Sequence, residues 1–269
     1  MIPVPRSLAR IPILRGLYRV ALNFYAQLTR GRYLVERRMG LRLLLDRENT
    51  VDRQVFIAGD WEPDSVGALF ELIEQHYRPG EKAVFVDIGA HWGLYALLAH
   101  KAGIYERIVA FEPDPTNYAQ LQANLFLNGL ENTIEALNLA TSDSERTFGL
   151  SLKTHRNRGG TQVVEVGTPG EATCRAVRVD RQLDIEGKFL VIKMDVEGHE
   201  LEAVDGLLGL LGKNRCVIQI EVWSTPEGEM QRRLALIEEK LAPYGIKLVR
   251  SVIPDHFFVS QPGPQSRRI

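Results

Sequence analysis

Four short groups of residues in this 269-residue chain combine types and spacings that could do chemistry. The first is Val86-Asp87-Ile88-Gly89-Ala90-His91-Trp92-Gly93, where an acid precedes two glycines separated by a bulky pair. The second is Ala110-Phe111-Glu112-Pro113, an apolar run closing on an acid. The third is Ile192-Lys193-Met194-Asp195-Val196-Glu197-Gly198-His199-Glu200, and the fourth is Ile220-Glu221-Val222. Glycine lets a backbone come close to a ligand, and an acid at a strand's tip can accept both hydroxyl protons of a ribose. Apolar run, glycine turn, helical pattern, apolar run and terminal acid together make the layout of a nucleoside-binding βαβ unit.

The glycine spacing narrows the ligand. A dinucleotide site wants G-x-G-x-x-G, with backbone amides and a helix N-terminus aimed at a pyrophosphate. Here only Gly89 and Gly93 are present, and Asp87 stands just before the first. An acid there repels phosphate and suits a positively charged ligand. S-adenosylmethionine (SAM) carries an ammonium, a sulfonium and a ribose diol and no phosphate, so the turn favours SAM over a nicotinamide dinucleotide.

The elements around these groups alternate. The pattern predicts strand 84–88, helix 93–102, strand 107–111, helix 115–127 with a cap at Asn128-Gly129, and strand 133–138. Residues 146–178 are polar, β-prone and glycine-containing, and read as a hairpin-like insertion. Strand 189–194, helix 199–211, strand 215–222, helix 227–242 and strands 246–250 and 256–259 complete the unit. Such alternation implies a mostly parallel, doubly wound α/β sheet that binds ligands at its C-terminal edge. The last two strands are joined by too few residues for a crossover helix, so they must run antiparallel, giving a reversed terminal strand. The expected organisation is a basic arm over 1–40, strands and a helix over 41–80, and a SAM-binding core over 81–260. Within the first part, 8–28 reads as an amphipathic helix with Arg32 to Arg38 as its ragged end. Gly40 to Ile57 reads as short strands about the turn Asp46-Arg47-Glu48-Asn49, and Glu62 to Tyr77 as a helix ended by Pro79-Gly80.

Composition bounds the possibilities. The chain is 45% hydrophobic with a net charge of −1, enough for one good core and without bulk attraction to nucleic acid. The two cysteines form no disulfide framework and no metal-ligand spacing, and read as reduced thiols of a cytosolic protein. No apolar run reaches the roughly 20 residues of a membrane span.

The chain resembles the FkbM family of methyltransferases over roughly Asp46 to Val259, and the four groups quoted above carry the match. The first two recur in many SAM enzymes, while the Lys-Met-Asp-Val-Glu-Gly-His-Glu block is sharper. The resemblance implies a Rossmann-like class I methyltransferase fold and SAM-dependent O-methylation of hydroxyls on sugars, glycolipids and secondary metabolites. It also implies that Asp87, Gly89, Ala90 and Gly93 line the methionine end of SAM and that Glu112 holds the ribose. Pro113 and Asp114 would then lie beside the adenine, and the segment Asn138 to Asp143, with Ala140 and Ser142, would cover the adenine edge. Asp195 and Glu197 would form the polar floor beside the transferable methyl.

A sugar hydroxyl is a poor nucleophile, so a nearby base would help by roughly 10²–10⁴-fold. Asp195 is the first candidate, then Glu197, His199 and Glu221. Each has a plainer reading: Asp195 and Glu197 could cap the following helix, His199 could be a first-turn residue of it, and Glu221 could be an ordinary strand-end carboxylate. His91 could meet SAM through its backbone with its ring merely exposed. Carboxylate oxygens suit Mg²⁺, but no spacing demands a metal. Lys193 could pair with a carboxylate and is given no role.

Between Met1 and Met39 eight arginines face the single acid Glu36. Packing on the core, an interfacial helix on an anionic membrane and a mitochondrial presequence all remain open for this arm. The second would place a cytoplasmic enzyme against the inner face of a membrane, beside lipid-linked glycan acceptors. Competing functions are a SAM-binding protein without turnover, a methyltransferase for secondary metabolites or nucleic acid, and a nicotinamide-dependent oxidoreductase. The acceptor and the oligomeric state are not legible.

Overall fold

The computed structural model describes residues 31–154, 157–167, 172–223 and 228–261. The chain divides into two compact units at Trp61/Glu62. The boundary therefore falls inside the stretch 41–80 expected as one module. The arm helix expected over 8–28 lies outside the described residues.

In the first unit, β1 (Tyr33–Arg38) pairs antiparallel with β2 (Leu41–Asp46) across Met39-Gly40, both at positive φ (52° and 76°). Arg32 to Arg38 is thus mostly strand, not the frayed end of a helix. The arginines alternate sides, and Arg38 donates to the Phe56 carbonyl (3.1 Å from Nη2). The second half of Gly40 to Ile57 is a helix, α1 (Thr50–Ala58), rather than strand. Its β-branched residues suggest a strand, but Asn49 Oδ1 accepts from Val51 N–H (3.1 Å) and Gly59 closes the other end at φ 88°. Capping at both ends outweighs propensity here.

The second unit begins with α2 (Pro63–His76) and is built on a seven-stranded sheet. Its central strands are β3 (Ala83–Ile88) and β10 (Phe189–Met194), and all six residues of each are buried. Runs that are apolar except for Asp87 and Lys193 near their ends are what strands covered on both faces require. Beyond β3 lie β4 (Tyr105–Phe111) and β5 (Ile134–Leu137), each parallel to its neighbour. On the other side β11 (Arg215–Glu221) runs parallel to β10. Next comes β13 (Asp255–Ser260), antiparallel to β11, with β12 (Ile246–Val252) at the edge. The reversed strand is last in the chain yet sits one place in from the edge.

Helices α3 (Leu94–Ala102) and α4 (Pro115–Leu127) connect the βαβ strands as the periodicity predicts. The helix expected over 199–211 is instead two short pieces, α6 (Glu200–Asp205) and α7 (Leu208–Leu211), which follow the single turn α5 (Val179–Gln182). The break falls at Gly206, where a Cβ would stand 2.2 Å from the Ser142 carbonyl. α8 (Glu229–Leu241) precedes β12.

The insertion folds as a second sheet of four strands, ordered β6-β9-β7-β8. β7 (Arg146–Thr154) and β8 (Asn157–Val164) form an antiparallel hairpin, β9 (Thr173–Val177) flanks β7, and β6 (Ala140–Thr141) flanks β9. A small core of its own, including Phe148, Leu150 and Cys174, supports it. No helix among the described residues is long and apolar enough to cross a membrane.

Candidate active site

The site begins where β3 ends. Gly89 takes φ 75°, and its N–H and that of Ala90 both donate to the Phe111 carbonyl (2.9 Å each), tying the turn to the end of β4. A Cβ on Gly89 would lie 1.7 Å from the Asp195 carbonyl oxygen, so the loops after β3 and β10 touch through bare backbone. His91 follows at φ 51°, and Gly93 (φ 89°) starts α3, where an added Cβ would have to displace Leu121 Cδ1, 2.3 Å away.

Glu112, buried at the tip of β4, is the acid that the turn presents to. Its Oε2 accepts from His91 N–H (2.8 Å), and its Oε1 from Asp114 N–H (2.9 Å) and Asn117 Nδ2 (3.3 Å). Burial pushes the carboxyl up to about 7 against these donors. Asp114 caps α4, accepting from Thr116 and Asn117 N–H (2.7 and 3.0 Å). A crevice opens in front, walled by Gly89, His91, Glu112 and Pro113 on one side and by Ala140, Asp195 and His199 on another. The hairpin β7–β8 crosses it. Gly159, Thr161 and Val163 line the crevice, and Arg158 Nη2 pairs with Asp114 (2.8 Å). At the far end, Gln162 Nε2 donates to the Glu197 carbonyl (2.7 Å).

The polar floor is a charge cluster at the ends of β3, β10 and β11. Lys193 is buried, with Nζ 3.3 Å from Asp195 Oδ2, 3.5 Å from the Gly89 carbonyl and 5.1 Å from the centre of the Tyr95 ring. Burial works against its charge, but Asp195, Asp87 and Glu221 together hold the ammonium above its ordinary value. Glu221 accepts from the Trp223 indole N–H, and burial, then the neighbouring Asp195, push it up to about 9. Asp87 lies beneath the turn, where Oδ2 accepts from Ala96 N–H (3.0 Å) and burial pushes it up to about 6.

A sequence profile described as the methyltransferase FkbM domain matches residues 87–249. That span is more than half of the chain and contains every element of the crevice. The chain belongs to the FkbM methyltransferase family. A relative, the methyltransferase sdnD of Sordaria araneosa, is 29% identical over 186 residues, covering 58% of this chain and 71% of its own. A second, the hexuronic acid methyltransferase AglP of Haloferax volcanii, is 28% identical over 193 residues, covering 70% and 73%. A solved FkbM methyltransferase from Methylobacillus flagellatus is 19% identical, with a TM-score of 0.48, over 94% of this chain and 60% of that one.

FkbM methyltransferases are SAM-dependent, and this crevice fits the nucleoside. Two of its buried atoms, Thr141 Oγ1 and Asn117 Oδ1, have no hydrogen-bond partner within the protein, and both residues line it. Both can accept from the hydroxyls and amino group that a nucleoside carries. Leu139, Val196 and Phe111 provide the apolar surface that an adenine needs.

The structure sorts the residues expected from sequence. Gly89, His91, Glu112, Pro113, Ala140, Asp195 and His199 line the crevice. Asp87, Ala90, Gly93, Asp114 and Ser142 do not; they cap, hinge or brace the residues that do. Ser142 Oγ lies 3.0 Å from His199 Nε2, and the Phe148 ring stands edge-on to His199 at 5.1 Å, so that imidazole is clamped, with burial lowering its basicity. Glu197, at φ 51°, turns its carbonyl toward Gln162. Burial likewise pushes His91 down to about 3, so its ring is uncharged at neutral pH. Sequence reasoning gave 146–178 as a hairpin-like insertion without singling out Gly159, Thr161 and Val163, and gave Lys193 no role; its i,i+2 spacing to Asp195 on one face of a strand was the available signal.

Proposed function

We propose that this FkbM methyltransferase transfers the methyl group of SAM to a hydroxyl of a sugar or glycolipid. The observation that carries the reading is Asp195, which lines the cofactor crevice with its carboxylate 3.3 Å from a buried lysine. SAM supplies an activated methyl on a sulfonium, so the chain's residues have mainly to bind, align and move one proton. Glu112 would accept both ribose hydroxyls while Asn117 and Thr141 complete the nucleoside contacts. Asp195, at the methyl end, would orient the acceptor hydroxyl and accept its proton as the carbon–oxygen bond forms and the carbon–sulfur bond breaks. Alignment of this kind is worth up to about 7–11 kcal/mol of barrier. The similarity to a hexuronic acid methyltransferase supports an acceptor of the sugar class. A lipid-linked acceptor and membrane contact rest on the basic arm, outside the described residues; flotation of the full chain with anionic vesicles tests them.

The test is label transfer from SAM to glycan and glycolipid extracts. Asp195→Asn should abolish transfer while S-adenosylhomocysteine still binds by calorimetry. Turnover retained by that variant removes Asp195 from the chemistry.

A further inference from the structure

Trp223 lies two residues beyond Glu221, and apart from its hydrogen bond to that carboxyl it has no role in the site described so far. It is 57% exposed, which for a single apolar side chain is ordinary by itself. Its place in the fold is informative. β11 runs parallel to β10 and β3, so its C-terminal end emerges at the same sheet edge as Gly89 and Asp195. The register Met194↔Ile220 sets the next residues, Asp195 and Glu221, side by side. The other exposed aromatics of this unit lie elsewhere. Phe126 is in the last turn of α4, which starts at the ligand edge and ends away from it, and Tyr244 precedes β12, parallel to β11, at the opposite edge.

The indole is also held. Its N–H donates to Glu221 Oε1, and Glu221 is itself buried. A ring fixed through one edge and left open to water loses little freedom when something lies against it. Two features set the chemistry of that occupant. The ring offers an apolar face with a polar edge, which suits the C–H face of a pyranose. The carboxyl beside it stays protonated to about pH 9 through burial, Asp195, Glu62 and Asp255, with Lys193 opposing. A neutral carboxyl donates and accepts, so it can pair with a hydroxyl of the same ring.

We propose that Trp223 is an acceptor-binding residue, the platform on which a hydroxylated sugar ring lies as its reacting hydroxyl meets Asp195, with Glu221 fixing a neighbouring hydroxyl. This rests on the sugar-acceptor reading and adds to it a subsite outside the cofactor crevice. The subsite determines which ring face, and so which hydroxyl, is presented to the methyl.

The test does not need the natural acceptor. The full chain saturated with S-adenosylhomocysteine is titrated with methyl α-D-glucopyranoside and with glucuronic acid. Saturation-transfer difference spectra report which sugar protons touch protein, and the growth of that signal with sugar concentration reports affinity in wild type and variants alike. The expected result is contact concentrated on the protons of one ring face for at least one sugar. Affinity should fall about 2- to 10-fold in Trp223→Ala, the scale of one aromatic contact, and recover largely in Trp223→Phe. Unchanged nucleoside affinity in both variants would show that the crevice is intact. Equal sugar contacts in wild type and Trp223→Ala overturn the platform and leave the sugar reading standing. Absence of any contact between either sugar and the wild-type chain overturns both.

Discussion

Replacing Gly89 by alanine tests the closest approach in the site, and Gly103 provides its control. Both glycines sit at similar positive φ, 75° and 70°. An alanine in that region costs about 1–2 kcal/mol at either position. Around Gly103 nothing lies within 4 Å of an added Cβ, so backbone strain is the whole effect there. At Gly89 the Cβ would stand 1.7 Å from the Asp195 carbonyl oxygen, and reaching even 3.0 Å requires the two loops to part by 1.3 Å (3.0 − 1.7). That movement strains the bond from Asp195 N–H to the Ile88 carbonyl, now 2.9 Å, whose loss in a buried setting costs about 1–3 kcal/mol. Together the expectation is about 2–5 kcal/mol for Gly89→Ala, or a fall in Tm of roughly 4–20 °C at about 2–4 °C per kcal/mol for a domain of this size. Gly103→Ala should lose only the strain share. Thermal unfolding with and without S-adenosylhomocysteine measures both quantities. The nucleoside should raise the Tm of Gly103→Ala as it does wild type, and that of Gly89→Ala far less. Equal Tm losses in the two variants refute the backbone contact on which the site's geometry rests.

Arg158→Ala removes the ion pair that ties the hairpin to Asp114 at 2.8 Å, and should speed S-adenosylhomocysteine release severalfold in stopped flow with little change in Tm. Lys193→Met leaves Asp87, Asp195 and Glu221 without their shared cation; turnover should fall by at least about tenfold, and Lys193→Arg should restore part of it, as label transfer would show. Glu221 carries a stability signature with a definite sign. Its carboxyl is raised from 4.5 to about 9 on folding, so between those values the folded chain holds the extra proton and stability falls as pH rises. Denaturant unfolding from pH 5 to 9 should show a shallower decline in Glu221→Gln than in wild type, and parallel curves would contradict the burial of that group.

The parallel core was legible because its signals are local and redundant. The apolar stretches Ala83–Val86 and Phe189–Ile192 in β3 and β10 and the Asp114-Pro115 cap of α4 each name one element. Errors gathered where a non-local contact decides. Tyr33–Arg38 is a strand because Leu41–Asp46 pairs with it, a fact that its own arginine-rich sequence does not contain. The predicted helix is interrupted at Gly206, whose carbonyl accepts from Asp180 N–H (2.9 Å) and whose Cα lies too close to the Ser142 backbone for a Cβ. The site was legible in type and not in depth. Gly89, Glu112 and Asp195 reach the crevice, but whether a residue lines or braces it depends on side-chain direction. Asp87 illustrates this, since its carboxylate is turned back to the Ala96 amide.

That displacement changes the electrostatic argument for the cofactor. An acid before the glycines suits a sulfonium only if its charge reaches the ligand, and Asp87 is buried, raised toward neutrality and faces Lys193. Of the three acids at the strand ends only Asp195 lines the crevice, while Lys193 offsets the charge of all three. One buried cation among Asp87, Asp195 and Glu221 leaves the floor overfilled with carboxyls, and Glu221, whose partner is an indole rather than the ammonium, is the one that retains its proton. The three acids thereby separate into a brace under the turn, a carboxylate at the crevice wall paired with Lys193 and a neutral one beside Trp223. Sequence spacing groups the three together; the single lysine between them makes their chemistry different.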